Sequence, residues 1–216
     1  MEKKKKKKYD DIINNVKIYY NDKIDRYGPE HRGVDWNSRE SQELRFKQLL
    51  DVCTRDRKFS INDFGCGYGY LAYFMLKEDY NFEYLGIDIS DKMIVKAKEL
   101  YDKYQNINFI KDCNIGKVAD YTVASGIFNV KLQQKNSDWL DYLLEILHKM
   151  NEKSKVGFSF NCLTLYSDTE FQKDYLYYAD PCFLFDYCKR KFSKNVALLH
   201  DYFLHEFTIL VRKGEG

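Results

Sequence analysis

The sequence has few of the features that mark fibrous, membrane or disulfide-stabilised proteins. Its 216 residues include only two prolines and eleven glycines, which excludes a collagen-like or low-complexity chain. It contains no run of about 18 apolar residues, so no transmembrane helix is expected. The six cysteines form no CxxC pair, and a chain of this length does not depend on disulfides. We therefore expect free thiols and no metal site.

Charge of one sign is not in excess either. The net charge of +2 gives no general attraction to nucleic acid. The basic run from Lys3 to Lys8 is followed by Tyr9 and two aspartates rather than by apolar residues, so it is not a signal peptide. We interpret it as a solvated tail, with an arm for nucleic acid or another anionic surface as the alternative. A cytoplasmic protein without membrane contact is expected, and the sequence does not define its oligomeric state.

From residue 59 onward, short apolar runs alternate with segments of helical periodicity. Such alternation predicts βαβ units, a doubly wound and mainly parallel sheet, and right-handed crossovers. The final two strands are separated only by residues 201–206, too few for a crossover helix, so the last strand must be antiparallel. Strands are predicted at 59–64, 82–89, 107–111, 121–124, 156–160, 196–200 and 207–212, and helices at 70–77, 92–104, 138–150 and 183–192.

The first quarter of the chain has a different pattern. Residues 10–22 have helical spacing, residues 27–33 form a loop by their Gly and Pro content, and Ser38 is placed to cap a helix that ends near Leu50. We divide the chain into an N-terminal tail and helical cap, residues 1–57, and one compact α/β unit, residues 58–216.

A glycine-rich turn is the strongest local signal. Asp63-Phe64-Gly65-Cys66-Gly67-Tyr68-Gly69 lies directly between a predicted strand and a predicted helix, where glycines permit a tight turn and close approach of a ligand. A dinucleotide fingerprint would require glycine at position 70, which is Tyr. A P-loop would require Gly-Lys-Ser/Thr, which is absent. Asp63 would repel phosphate but suits a cationic ligand.

Two further acids follow neighbouring strands. Asp88 ends the second strand, 25 residues after Asp63, where an acid can accept both hydroxyls of a ribose. Asp112 follows the third strand, where a polar side chain would meet an exocyclic amine. Together with the glycine turn and the antiparallel last strand, these residues resemble the class I S-adenosylmethionine-dependent methyltransferases over roughly residues 58–213. Another doubly wound protein with a Gly-rich turn is the alternative.

The resemblance implies a Rossmann-like seven-stranded sheet, S-adenosylmethionine as cofactor, and a set of cofactor contacts. The glycines would pass under the methionine part, Asp63 would lie near its ammonium and Asp88 would hold the ribose. Ile89 and Met93 would flank the adenine, although simple packing explains both equally well. Arg45 would pair with the methionine carboxylate, or be an exposed helix charge. The full predicted set is Asp63, Gly65, Cys66, Gly67, Asp88, Ile89, Met93, Asp112, Cys113, Ser125, Arg45 and Trp36.

The acceptor is expected to meet residues that follow the strands. Residues 125–129 contain no proline, unlike the Asp/Asn-Pro-Pro-aromatic motif typical of enzymes that methylate exocyclic amines of bases. After Asn161 about twenty residues precede the next helix, and so long a connection predicts a lid on the acceptor, or an extra helix that covers the sheet. The predicted acceptor contacts are Tyr27, Asn129, Asn161, Tyr178 and Asp201.

Two histidines are candidates for the proton acceptor. His200 follows the sixth predicted strand on the ligand side of the sheet, and histidine is a residue type suited to act as a general base, although a structural histidine at a strand end is the competing interpretation. His31 lies in the loop that precedes the helical cap. Methyl transfer to an acceptor that is already deprotonated would need neither.

Three functions remain open at this point. The first is a methyltransferase that acts on oxygen or nitrogen of a small molecule, with nucleic acid an improbable partner. The second is a methyltransferase acting on RNA or protein, with the lysine tail as its electrostatic arm. The third is a cofactor-binding module without catalytic activity, although nothing in the cofactor motif is degraded.

Overall fold

The structure is a computed structural model that describes residues 2–214, with side chains from residue 7 onward. The helices are α1 (Glu2–Tyr27), α2 (Arg39–Leu50), α3 (Tyr70–Lys77), α4 (Asp91–Tyr101), α5 (Asn136–Glu152) and α6 (Pro181–Lys191), with short 3₁₀ turns at His31–Val34 and Thr169–Phe171. The strands are β1 (Phe59–Phe64), β2 (Phe82–Asp88), β3 (Ile107–Lys111), β4 (Ala119–Ala124), β5 (Ser154–Thr164), β6 (Tyr178–Ala179), β7 (Asn195–Leu199) and β8 (Glu206–Arg212).

The strands form one sheet in the order β3-β2-β1-β4-β5-β8-β7. The first five are parallel, whereas β8 runs antiparallel to both β5 and β7. The predicted fold class is therefore confirmed. The sequence patterns did not indicate β6, a two-residue strand parallel to the end of β5. The order reverses between β1 and β4, which opens a crevice at their carboxyl ends.

Local sequence signals explain where several helices begin. The Ser38 hydroxyl accepts a hydrogen bond from the Ser41 backbone N–H, as expected for a cap of α2. Ser90 caps α4 in the same way through the Met93 N–H. At α6, Asp180 accepts from two backbone N–H groups and Pro181 occupies the first turn. These caps fix the helices that follow strand ends, so they also fix the shape of the crevice.

The sheet separates two hydrophobic clusters. One lies under α2, α3 and α4 and includes Leu50, Leu71 and Met75; the other lies under α5 and α6 and includes Trp139 and Phe158. The predicted loop at 27–33 contains a 3₁₀ turn, and the helix predicted at 10–22 extends back through the lysine run. Helix α2 packs against β5 and β8, so the proposed boundary at residue 57 stays a prediction. No helix in residues 2–214 is long and apolar enough to cross a membrane.

Candidate functional site

A cavity of about 580 Å³ lies at the carboxyl edge of the parallel strands. Its floor is the glycine turn after β1 and the turn after β4. Helix α1 and the residues that precede α2 form one wall. The insertion segment, residues 165–180, and the residues just before β8 also line it. Its size is ordinary for a cofactor or a small-molecule site. Side chains that sequence reasoning did not assign here include Val16, Tyr20, Asp35, His205 and Glu206.

The glycine turn is held against β2. The N–H groups of Gly65 and Cys66 both donate to the carbonyl of Ile87, at 2.7 and 3.1 Å. Gly67 has φ +54°, and a Cβ there would lie 2.8 Å from Cγ1 of Val34, which also lines the cavity. Glycine at this position therefore keeps the backbone bare where the cavity is narrow.

Asp88 lies beside this turn at the end of β2. Its Oδ2 accepts from the Gly67 N–H at 2.9 Å, and its Oδ1 accepts from the Ser90 N–H at 2.8 Å. Burial raises the pKa of this carboxyl, and the backbone N–H donors oppose that effect. The backbone N–H of Asp112 donates to the Asp88 carbonyl, so the two predicted acids are adjacent. A carboxylate has about four lone-pair sites, so Asp88 retains the capacity to accept from ligand hydroxyls.

Asp63 is buried at the end of β1 and is only 3% exposed. Burial raises its pKa to about 7, although the Tyr84 hydroxyl, which donates to Oδ2 at 2.6 Å, favours the ionised form. The charge of Asp88 raises the pKa further. Asp63 is therefore a carboxyl that a cationic ligand would hold ionised at neutral pH.

Arg45 has a different partner from the one that the sequence suggested. Its Nε and Nη2 donate to Oε2 and Oε1 of Glu206, at 2.7 and 2.9 Å, and its Nη1 donates to the Ser41 carbonyl. Both members of the ion pair are buried, and the guanidinium lies 4.1 Å from the ring centre of Trp36. The guanidinium group that was expected to bind a ligand carboxylate therefore binds Glu206 instead, and the predicted pairing is corrected. Arg45 and Trp36 do line the cavity.

Two buried polar atoms at the cavity have no hydrogen-bond partner among the described residues: Ser125 Oγ and Gln42 Oε1. A buried polar atom without a partner is costly, so two of them in residues that line the cavity are consistent with a ligand that would satisfy them.

The structure gathers most of the predicted cofactor residues. All of them line the cavity except Cys113, which is exposed and turned away from it. Of the predicted acceptor contacts, Asn129 and Tyr178 line the cavity. Tyr27, the last residue of α1, and Asp201 are exposed and do not line it. Asn161 is fully buried behind the wall rather than in it.

The prediction for the histidines is corrected. His200 follows the edge strand β7, which β8 separates from the parallel strands, and its exposed ring lies near Tyr166 and Phe207 instead of the cavity. His31, in the 3₁₀ turn, does not line the cavity either. His205 does. An antiparallel strand begins at the edge where parallel strands end, and this geometry would have pointed to His205 and Glu206.

No group of three His, Cys, Asp or Glu residues within the described part of the chain is arranged to hold a metal ion. The six cysteines are unpaired thiols. Burial raises the pKa of Cys66, in the glycine turn, well above its usual value of 9.0, so this thiol is not an activated nucleophile.

Comparisons with known proteins agree with this geometry. Residues 61–132 match the family model described as "Methyltransferase domain". A protein of Mycobacterium tuberculosis (strain ATCC 25618 / H37Rv) named "Putative methyltransferase Rv1506c" is 52% identical over 156 residues, which span 72% of this chain and 94% of that protein.

Solved structures show the same fold at low sequence identity. The magnesium protoporphyrin IX methyltransferase of Synechocystis PCC 6803, solved with bound SAH, has a TM-score of 0.64 at 14% identity and covers 93% of this chain and 99% of its own. Human N-acetylserotonin methyltransferase, in complex with SAM, has a TM-score of 0.56 at 14% identity and covers 80% of this chain and 51% of its own.

Proposed function

Because the chain belongs to the class I S-adenosylmethionine-dependent methyltransferases, we propose that it transfers a methyl group to oxygen or nitrogen of a small-molecule acceptor. The enzyme class and the cofactor follow from the family. The size and chemistry of the acceptor, and the residues that hold each ligand, are proposals argued from the cavity.

The cavity fits S-adenosylmethionine. We propose that Asp88 accepts from the ribose hydroxyls and that the bare backbone of Gly65 and Gly67 lies under the methionine part. Asp63 would lie near the ammonium, where a positive charge offsets the burial that raises its pKa to about 7. The unpaired Ser125 Oγ and Gln42 Oε1 supply polar contacts that the protein alone leaves unmade.

The bound cofactor supplies an electrophilic methyl group on a sulfonium, so the protein itself has no covalent step to perform. Its residues bind, orient and exclude water. Val16 and Tyr20 of α1 line the cavity, as do residues of the insertion segment. We propose that His205, an exposed residue that lines the cavity, accepts a proton from an acceptor that must lose one.

The observation that carries the small-molecule proposal is the set of elements that line the cavity. Three segments outside the sheet contribute to its lining: α1, the residues that precede α2, and the insertion segment with Phe171, Tyr175 and Tyr178. The insertion segment is tied down, because Lys131 and Leu132 donate their N–H groups to the Tyr175 carbonyl. This supports the lid interpretation, and a concave, aromatic-lined site of about 580 Å³ suits a small acceptor better than an extended polymer. Two structural neighbours are named for small acceptors, a magnesium porphyrin and N-acetylserotonin.

The proposal is tested by following a labelled methyl group. The purified protein is incubated with S-adenosylmethionine labelled on the methyl and with a cell extract separated by ultrafiltration into small molecules and macromolecules. We expect label in the small-molecule fraction. The Gly67→Val variant is the matched negative control, since a side chain there meets Val34 and enters the cavity.

A variant without residues 1–8 separates the two classes of acceptor. For a small acceptor, labelling should not change when the lysine run is removed. Label in RNA or protein that is lost on this deletion, and that falls steeply with salt, would contradict the proposal and support an electrostatic arm.

A further inference from the structure

The turn after β4 is held by a closed circuit of side chains. The Gly126 N–H donates to Asn161 Oδ1 at 2.7 Å, and Asn161 Nδ2 donates to Glu206 Oε2 at 3.1 Å. Glu206 forms the two hydrogen bonds with Arg45, and Arg45 lies against Trp36. Trp36 in turn lies over Gly126, where a Cβ would come within 2.5 Å of its Cζ2 atom.

Every link of this circuit is buried or packed, and its members come from four distant parts of the chain. Asn161 is 0% exposed and Glu206 is 2% exposed. The amide of Asn161 has a defined orientation, because its oxygen faces an N–H donor and its nitrogen faces a carboxylate. A buried ion pair is weak evidence for stability by itself, so a role in holding a unique geometry is the better explanation.

The turn that this circuit holds is part of the cavity floor. Ser125, with its unpaired hydroxyl, and Gly126 and Ile127 all line the cavity. Gly126 has φ +74°, so its N–H direction depends on a backbone conformation that one hydrogen bond fixes. Loss of that bond would release both the turn and the indole packed on it.

We propose that Asn161 is a positioning residue. It lies outside the cavity lining and acts through its neighbours. Through Gly126 it fixes the turn after β4, and through Glu206 and Arg45 it fixes Trp36. The turn and Trp36 then keep the shape that binds the cofactor and presents the acceptor. The inference rests on the proposed use of this cavity, although its test requires only the cofactor.

Strand β5 provides a matched control. Ser159 lies two residues before Asn161, so it faces the same side of the sheet, and it is also 0% exposed. Its hydroxyl donates to the Leu49 carbonyl of α2 at 2.8 Å. Ser159→Ala therefore removes a buried hydrogen bond between β5 and α2. Neither Ser159 nor Leu49 lines the cavity.

The experiment measures the affinity of wild-type, Asn161→Leu and Ser159→Ala proteins for S-adenosylmethionine by calorimetry, together with acrylamide quenching of tryptophan fluorescence. Both tryptophans line the cavity, but Trp139 is 0% exposed and Trp36 is half-buried, so the accessible fluorescence is that of Trp36. We expect Asn161→Leu to bind about tenfold more weakly, as the loss of one hydrogen bond to a charged group implies, and to quench more strongly. Ser159→Ala should match the wild type in both measurements.

Gly126→Ala is the second variant, in case Asn161→Leu does not fold. It leaves Asn161 in place but displaces Trp36 directly, so it should give the same two signals. Wild-type affinity and quenching in a folded Asn161→Leu or Gly126→Ala protein would overturn the inference, as would equal losses in Ser159→Ala. If the wild-type protein itself does not bind S-adenosylmethionine, the proposed use of the cavity fails instead.

Discussion

Asp63 should make the stability of this protein depend on pH near neutrality. Its pKa is raised from the usual 3.8 to about 7, chiefly by burial. Between these two values the unfolded chain has released a proton that the folded chain still holds. The free energy of unfolding therefore falls as pH rises through this window and becomes constant above it.

The expected size of the effect follows from the two pKa values. At about 1.4 kcal/mol per pKa unit, the full cost of ionising Asp63 in the folded protein is on the order of 4 kcal/mol. Of this, about 2–3 kcal/mol would develop between about pH 5 and pH 8. Asp63→Asn removes the titration while its side-chain oxygen can still accept from the Tyr84 hydroxyl, so the variant should become steadily more stable than wild type over that range.

The assay is urea unfolding of both proteins at a series of pH values, so that titrations common to the two cancel in the difference. Tyr84→Phe is the companion variant. The Tyr84 hydroxyl donates to Asp63 and lowers the pKa of that carboxyl. Its removal should raise the pKa, so the loss of stability should continue to higher pH. A difference between Asp63→Asn and wild type that does not change with pH would refute the reasoning, because Asp63 would then be ionised throughout.

Two further predictions concern the ligands. Asp88→Ala should weaken binding of S-adenosylmethionine by about 1.5–3 kcal/mol, measured by calorimetry, because a charge-assisted hydrogen bond to the ribose is lost. Asp120→Ala is the control and should bind normally, because Asp120 lies at the opposite ends of the strands, where it accepts from Ser60. Equal affinities of the wild type, Asp88→Ala and Asp120→Ala would remove Asp88 from the site. For an acceptor that must lose a proton, His205→Ala should lower turnover by about 10²–10⁴-fold. His200→Ala should leave turnover unchanged, and the reverse pattern would restore His200 as the base.

The sequence by itself determined the features that depend on neighbours along the chain. The alternation of strands and helices predicted the sheet, and the short link between the last two strands predicted the antiparallel β8. The Asp63–Gly69 turn and Asp88 were placed correctly because each follows directly from a strand end and a helix cap. Such signals require only a few consecutive residues, and the carboxyl ends of parallel strands always meet at one edge.

Only the tertiary structure decided which side chains close the site. Arg45 and Glu206 are separated by 161 positions, and nothing local in either segment indicates that they pair. The same holds for Tyr20, whose helix could have packed elsewhere, and for Asn161, whose role depends on Gly126 and Glu206 at once. His200 was predicted for the site because its strand ends at the correct edge, but the position of β7 outside β8 keeps it away. Strand order and the packing of the N-terminal helical cap depend on how apolar surface is buried over the whole chain, and a short motif carries no information about that.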